Sequence, residues 1–232
     1  MSSETFKLTI TPLKPSDIPS EEVIFAAADE LIETTTSWKA GKTYHKVVKT
    51  SSRPKQAGDG APWHCRVSEH GPKDGTFDQF WDKLGRNKAE NEQQYIPDIQ
   101  KATQVKHIST TQEMWTLYYK FPFPLSPRVF TVLQVTRLKE TSPRSGMIVS
   151  IPIDLSANHE LEKLEQKGVK GRYVSVERLL ELENGNTEWR MATSSTPGGL
   201  IPDFLVEQNM NSKISEDVPH FLEWLHKGEI SK

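Results

Sequence analysis

Residues that could perform acid–base or metal chemistry are spread along this chain and do not form a known catalytic motif. The sequence has seven histidines but no HExxH or other metal-ligand spacing, and it contains no GxSxG motif and no phosphate-binding loop. The Gly198-Gly199 pair is not followed by the Lys-Ser or Lys-Thr of a phosphate cradle. We therefore predict no metal site and no cofactor, and the catalytic residues stay unknown.

The single cysteine, Cys65, directly follows His64. A thiol next to an imidazole suggests nucleophilic catalysis, but neighbouring residues on a strand point to opposite faces, so His64 is poorly placed to take the Cys65 proton. We predict a buried, unreactive thiol. One cysteine also excludes an internal disulfide and a cysteine-based zinc site, and it favours a reducing compartment.

Charged residues recur on two strand-like segments joined by Asn184-Gly185-Asn186, which is a tight-turn signal. Surface charge pairing across the two strands is the simpler interpretation of most of them, with Glu188 and Arg190 on one face. Arg178 differs, because it alternates in phase with the apolar residues of its strand. If that face is inward, Arg178 is a buried charge that needs an anionic partner, so it is a candidate ligand-binding residue.

Aromatic and apolar residues form the second group of candidates. They flank the turn 121–125 on two predicted strands, or lie on the predicted last helix: Trp115, Tyr119, Phe130, Phe204 and Met210. If these faces converge, the space between them is apolar with few polar groups, which suits a lipid-like ligand. A fully packed core would use the same residues, so both interpretations remain open.

Strand-like segments dominate the middle of the chain and follow one another without alternating with helices. This order predicts an α+β fold with an antiparallel sheet and helices on one side. The predicted strands cover 42–51, 63–68, 98–108, 113–120, 129–137, 147–151, 173–182 and 187–193.

Helical patterns occur at both ends and once between the early strands. Ser20 is a suitable N-cap for a helix with apolar residues from Val23 to Leu31, and 77–84 places its aromatic residues on one face. Polar 85–94 predicts a solvated connection or a short helix, and 155–170 a loop or short helix over an opening. After Gly198-Gly199, Pro202 suits the first turn of a long amphipathic C-terminal helix. Such a helix could act as a lid on a sheet-walled cavity.

Composition limits the classes of partner. The chain has 232 residues, which favours one domain spanning 1–232, and 29 basic against 31 acidic side chains, giving a net charge of −2. This balance provides no large positive field, so we expect no nucleic-acid partner. No apolar run approaches the ~20 residues of a membrane span, and no signal peptide begins the sequence. We expect a cytoplasmic protein.

Two segments resemble the signature turns of the START (StAR-related lipid transfer) family, in the same order. They run from Leu117 to Phe130 (LYYKFPFPLSPRVF) and from Thr196 to Pro202 (TPGGLIP). The resemblance covers a core of about residues 21–225 and is greatest to a fungal START-like group with no assigned activity. It implies a helix-grip fold, shared with birch-pollen-allergen-like proteins, in which a curved antiparallel sheet surrounds a long C-terminal helix.

Within the family, the steroid-binding branch has a basic side chain at the position matching Gln134 and an acidic one near Trp115. Neither charge is present here, which points to a different ligand, although Gln134 is retained as a candidate contact. Arg128 matches a family arginine at the turn before a strand, where we expect it to bond loop carbonyls.

Three functional hypotheses follow. The first is binding, and transfer between membranes, of a hydrophobic small molecule such as a lipid, sterol or polyketide-like metabolite, with transient membrane contact. The alternative is an enzyme of specialised metabolism that uses the same pocket for cyclisation or isomerisation, with Glu113, Tyr118, Arg178 or His107 as the acid or base. The third is a protein-interaction module of the chaperone-cofactor type, which predicts an exposed apolar patch and no enclosed space.

Overall fold

The structure is a computed structural model that describes residues 6–201 and 203–230, with side chains described for 6–201 and 206–228. Its strands are β1 (Lys39–Tyr44), β2 (Val48–Arg53), β3 (Trp63–His70), β4 (Ile99–Ser109), β5 (Gln112–Tyr119), β6 (Arg128–Lys139), β7 (Ser145–Pro152), β8 (Val169–Lys170), β9 (Arg172–Glu181) and β10 (Thr187–Thr196).

In the described part of the chain, these strands form a single sheet. Their order is β1-β2-β3-β10-β9-β7-β6-β5-β4, and β8 adds to β6. Every pair is antiparallel except β6 with β8. The sequence prediction of an α+β fold with an antiparallel sheet is confirmed, and Asn184-Gly185-Asn186 is the tight turn between β9 and β10.

Five α-helices accompany the sheet in the described ranges. They are α1 (Glu21–Thr34), α2 (Phe77–Leu84), α3 (Lys88–Tyr95), α4 (His159–Glu162) and α5 (Asp203–Ile230). Thr76 caps α2 through a reciprocal exchange with Gln79, which satisfies backbone groups that the first turn leaves unpaired. Pro202, the predicted first residue of the last helix, lies outside the described residues. None of the described helices is both long and apolar enough to cross a bilayer.

The two faces of the sheet bury different helices. On the outer face, Phe25 and Ile32 of α1 join Val149 and Val176 of the sheet in one apolar core. On the inner face, α2 and α5 pack over Leu179 and its neighbours in a second core. The prediction that the helices lie on one side was therefore wrong for α1. Helices cover β9 on both faces, so apolar side chains on either face of this strand can be buried.

The predicted single strand over 42–51 was wrong, because the chain reverses within it. His45 and Lys46 adopt left-handed backbone angles (φ 48° and 68°) between β1 and β2. Such angles are uncommon without glycine, so the run of Thr, Tyr and Val residues concealed the turn. The polar segment 85–94 contains α3, whose first residue Lys88 is only 5% exposed. It is therefore a short helix and is not a solvated connection.

We expect Gly146→Ala to destabilise the fold by about 1–3 kcal/mol, because a methyl group there overpacks the inner core. A Cβ at Gly146 would lie 2.3 Å from Cε3 of Trp81, a buried ring that also lies close to Gly85. Urea denaturation measures the change in the free energy of unfolding. Gly71→Ala is the matched control, since the nearest atom to its Cβ would be 3.6 Å away. Equal stability of both variants would contradict the expected clash.

Candidate functional site

A cavity of about 380 Å³ lies between the inner face of the sheet and α5, with α3 on one side. Because side chains alternate along a strand, every second residue of β9 and β10 faces this space. These residues are Tyr173, Ser175, Glu177, Met191, Thr193 and Ser195. Along β9, Tyr173 and Glu177 are four residues apart, which corresponds to about 13 Å.

Aromatic residues line the end of the cavity near Tyr173. The Phe130 ring contacts Tyr119 with centroids 5.1 Å apart and Tyr173 at 5.6 Å, and Tyr119 stacks on Phe121 at 6.0 Å. Burial raises the pKa of the Tyr119 and Tyr173 hydroxyls well above their usual value, so both remain neutral. The two tyrosine side chains therefore contribute apolar surface to this end without adding a charge.

Two loops complete the aromatic end, and we call residues 121–125 and 197–201 together the loop end. Phe121, Leu125, Pro197 and Ile201 line the cavity. The Arg128 side chain joins the two loops, because it donates to the carbonyl oxygens of Ser126 and, at 3.1 Å, of Pro197. The expected structural role of Arg128 in bonding loop carbonyls is confirmed. Gly198 is required here, since it has φ 64° and a Cβ would lie 2.5 Å from the Lys170 carbonyl.

The other end of the cavity contains ionisable groups, and we call Lys88, Glu92, Glu177 and Asp217 the charged end. The Lys88 ammonium lies 2.7 Å from Glu92 Oε1 and 2.6 Å from Glu177 Oε1. Trp189 donates to the second Glu177 oxygen at 3.0 Å. The nearby Lys88 and Arg66 cations hold the pKa of Glu177 below its usual value despite burial, whereas burial raises the pKa of Glu92.

Asp217 of α5 is the least satisfied carboxyl of the charged end. Its nearest cation among the described residues is Arg66, whose Nη2 lies 3.7 Å from Asp217 Oδ2, too far for a hydrogen bond. Arg66 is 1% exposed and stacks on the Trp189 ring, with 4.0 Å between Cζ and the centroid. Burial and the neighbouring carboxylates raise the pKa of Asp217 to about 7, although Arg66 opposes this shift.

The predicted site residues divide into three groups. Tyr119, Phe130 and Met210 line the cavity. Trp115 lies on the same inner face but packs against Ala89 of α3, and its indole donates to Glu113 at 3.1 Å. Phe204 lies in α5, but its side chain is outside the described part. The segment 155–170 contributes no residue to the described lining, in contrast to its expected position over an opening.

Gln134 lines a second cavity, of about 400 Å³, farther along the inner face. Its amide is buried, and Nε2 has no hydrogen-bond partner among the described residues. Glu113 and Thr136 also line this space, and Lys88 borders both cavities. Gln134 is thus separated from Tyr119 and Phe130, although all three residues share one face of the sheet.

Arg178 lies on the outer face of the sheet and does not border the first cavity. The face predicted to be inward is covered by α1, and Arg178 binds Glu33 of that helix at 2.7 Å and Glu188 at 3.0 Å. The expected anionic partner exists, but it belongs to the protein. The Arg178–Glu188 pair joins β9 to β10, so the predicted cross-strand charge pairing is confirmed, and Glu188 also binds Arg190 of its own strand at 2.9 Å.

The other acid–base candidates also lie away from the first cavity. Tyr118 alternates to the face opposite Tyr119, and His107 is exposed and lies 3.2 Å from Glu113. Cys65 is buried in the outer core, whereas His64 bonds Asn211 of α5, so the two point to opposite faces as predicted. Burial raises the pKa of the Cys65 thiol, which disfavours the reactive thiolate. No cluster able to hold a metal is found among the described residues.

Sequence reasoning missed the charged end. Lys88 and Glu92 have the i, i+4 spacing of a helical ion pair, and Glu177 alternates in phase with Tyr173 and Ser175. These two signals were available. They were not sufficient, because the same spacing is typical of solvated helix faces, and only the fold brings Asp217 near Glu177.

Comparisons with solved structures show the fold. The structure of human STARD10 superposes with a TM-score of 0.72 at 10% identity, covering 90% of this chain and 81% of that one. The lipid transfer and protein localization domain of human StarD13 (DLC2) gives 0.65 at 14%, with 90% and 98% covered. Human StAR-related lipid transfer protein 5 gives 0.67 at 13%, with 88% and 99% covered. The chain therefore has the helix-grip fold of START domains, as the sequence resemblance implied.

Two sequence comparisons complete this result. Residues 63–225 match a family described as "Protein of unknown function (DUF3074)". No curated protein matches the sequence.

We expect Asp217→Asn to stabilise the protein more at pH 8 than at pH 4. The change in the free energy of unfolding should differ by about 1–3 kcal/mol between the two pH values. The folded-state pKa of about 7 exceeds the ordinary value of 3.8, so the folded chain binds a proton more tightly. The wild type therefore loses stability as pH rises from about 4 to 7, and asparagine avoids this loss. Urea denaturation between pH 4 and 8 measures the difference. A difference that is constant with pH would contradict the coupling.

Proposed function

The chain belongs to the family described as "Protein of unknown function (DUF3074)", and we propose, from its cavity, that it binds a hydrophobic small molecule beneath α5. The observation that carries the proposal is the cavity between the sheet and α5, which Tyr119, Phe130 and Met210 line together. A concave, mainly apolar pocket with a few polar groups is typical of small-molecule sites.

The binding energy comes mainly from burial. Removing apolar surface from water contributes roughly 25 cal/mol per Å², so a ligand that hides several hundred Å² gains on the order of 10 kcal/mol before the entropy cost of association. The aromatic end provides such surface, since its tyrosine hydroxyls remain neutral. This function needs no steroid-type charge at Gln134 or Trp115.

We further propose that the protein carries its ligand to and from membranes in the cytoplasm. Two of the similar structures, those of human StarD13 and of human StAR-related lipid transfer protein 5, are described as a lipid transfer domain and a lipid transfer protein. At the loop end of this chain, Phe123 is 97% exposed and Leu200 fully exposed, while adjacent residues of the same loops line the cavity. Large apolar side chains held in water gain free energy by insertion into a bilayer surface, and here they would bring the cavity to it.

An enzyme is the second candidate, and one observation favours it. Asp217 borders an apolar cavity and has a pKa of about 7, which suits a general acid or base near neutral pH. Mass spectrometry of the bound molecule before and after incubation with the protein separates the two functions. Unchanged recovery supports a carrier, and a product of altered mass or structure supports an enzyme. The interaction-module hypothesis predicted an exposed apolar patch and no enclosed space; it stays a prediction, because the cavity is partly open and Phe123 and Leu200 are exposed.

We expect Met210→Arg to reduce uptake of a fluorescent fatty-acyl probe at least about a hundredfold, because it buries a charge in the apolar cavity. Met210 lies on the lining side of α5, so the helix itself stays intact and the far-ultraviolet circular dichroism should be nearly unchanged. Gln208→Arg is the matched control, since it adds the same charge at an exposed position of the same helix. Uptake that survives Met210→Arg would remove α5 from the binding site.

We expect the double substitution Phe123→Asp and Leu200→Asp to slow ligand transfer between vesicles about tenfold or more, while equilibrium binding of the probe stays within about twofold. Both side chains are exposed, so their loss should not disturb the cavity. Transfer is measured by fluorescence dequenching, and binding by titration without vesicles. Unchanged transfer would show that the loop end does not contact the bilayer, and a parallel loss of binding would show that it belongs to the site.

A further inference from the structure

The ionisable residues around the first cavity include more acidic than basic groups. Its described lining contains five carboxyl groups and two lysines: Glu92, Asp98, Glu177, Glu216, Asp217, and Lys88 with Lys213. Arg66 lies behind the lining beside the charged end and is almost fully buried. The three carboxyl groups of the charged end thus face two cations, Lys88 and Arg66, so one negative charge is left over when Asp217 is ionised. In a space with low-dielectric sides this charge favours cations over anionic head groups.

The cations already have partners. Lys88 is shared between Glu92 and Glu177, and Lys213 lies 3.2 Å from Glu216 Oε2. The carboxyl left over is Asp217, which accepts no hydrogen bond from the described residues and retains one-quarter of its side-chain surface exposed. Its oxygens can therefore accept hydrogen bonds from a molecule in the cavity, since Arg66 lies 3.7 Å away and donates none to them.

We propose that the ligand of this cavity carries a protonated primary amine, which binds Asp217 at the charged end while its apolar part extends to the loop end. This inference rests on the proposed function, because it concerns the same cavity. The amine supplies the N–H donors and the positive charge that Asp217 lacks. The distance of about 13 Å between Tyr173 and Glu177 along β9 leaves room for an apolar chain between the two ends.

Other head groups fit this wall less well. A carboxylate or phosphate would lie against the excess of acidic residues and find both lysines already paired. A quaternary ammonium has the charge but no N–H to donate. A hydroxyl can donate one hydrogen bond but brings no charge, and bonds between two charged groups are about twice as strong as neutral ones.

The proposed contact depends on pH because Asp217 must be ionised to bind the ammonium. With a pKa of about 7 in the empty cavity, Asp217 is mostly protonated at pH 6 and mostly charged at pH 8. An alkylamine stays protonated over this interval. Several other ionisable groups line the cavity or lie beside Asp217. They are Lys88, Glu92 and Tyr95 of α3, Asp98 between α3 and β4, Tyr173 and Glu177 of β9, Tyr119 of β5, Arg66 of β3, and Lys213, Glu216 and His220 of α5. His220 receives its own variant, because its imidazole lies on the same helix as Asp217.

The test uses four single-chain probes of equal length, below their micelle concentrations: dodecylamine, dodecyltrimethylammonium, 1-dodecanol and dodecanoate. Isothermal titration calorimetry at pH 6 and pH 8 gives their dissociation constants with the full chain. We expect the wild type at pH 8 to bind dodecylamine at least about tenfold more tightly than any other probe. We also expect dodecylamine binding to weaken about tenfold at pH 6, whereas 1-dodecanol binding should stay constant.

Three variants identify the group responsible. Asp217→Asn should bind dodecylamine and 1-dodecanol equally and lose the pH dependence. Glu216→Gln removes the neighbouring carboxyl, which already has a lysine partner, so it should keep the preference. His220→Gln should keep both the preference and the pH dependence.

The outcomes distinguish the amine inference from the proposed function. Equal binding of dodecylamine and 1-dodecanol by the wild type, or a preference that survives Asp217→Asn, overturns the amine inference but leaves the proposed function standing. Loss of the pH dependence in His220→Gln also overturns the assignment to Asp217. If none of the four probes binds, both the proposed function and the amine inference fail.

Discussion

The buried Lys88 ammonium is the contact on which the shape of the cavity depends. The α3 helix has little apolar surface of its own, and it is held to the sheet where Lys88 meets Glu177 of β9 while also binding Glu92 one turn along its own helix. Because α3 forms one wall of the cavity, this bridge sets the separation of helix and sheet at the charged end. Replacing only one residue of this bridge destabilises the fold, since removal of one partner from a buried ion pair costs about 3–5 kcal/mol by leaving the other charge unpaired.

The same bridge explains why Asp217 is different from the other carboxyls. One ammonium placed between Glu92 and Glu177 satisfies both of them, and the Trp189 indole completes Glu177. Arg66 is then the only cation of this cluster that lies near Asp217 among the described residues, and its guanidinium is held on the face of Trp189 at 3.7 Å from the carboxylate. The negative charge of Asp217 is therefore only partly balanced, because of where the neighbouring side chains lie. This geometry raises its pKa and leaves its oxygens accessible from the cavity.

The sequence was sufficient to predict the layers of the fold. It was not sufficient to show which side chains of each strand face the cavity. Alternation and turn signals located most strands, and the motif from Thr196 to Pro202 correctly preceded a long helix. Arg178 shows what was missing: its in-phase apolar neighbours are buried, but against α1 on the outer face, so period-2 alternation identifies two sets of residues without saying which set faces the cavity. Lys88 shows a second limit of prediction from sequence. A polar helix is normally solvated, but Lys88 is buried because it pairs with Glu177, more than eighty residues later in the chain.

The two ends of the cavity give the proposed ligand a direction. At the aromatic end the tyrosine hydroxyls are neutral, and the exposed Phe123 and Leu200 of the loop end are suited to lipid, whereas Lys88, Glu92, Glu177 and Asp217 gather at the charged end. An amphipathic molecule held by Asp217 would keep its polar head away from the bilayer and its apolar chain towards it. Release would then begin with the chain, whose transfer from an apolar wall to an apolar bilayer costs little, and the ion pair would break last. Arg128 joins both loops to the start of β6, so moving the 197–201 loop away from the cavity requires the hydrogen bond between Arg128 and the Pro197 carbonyl to break.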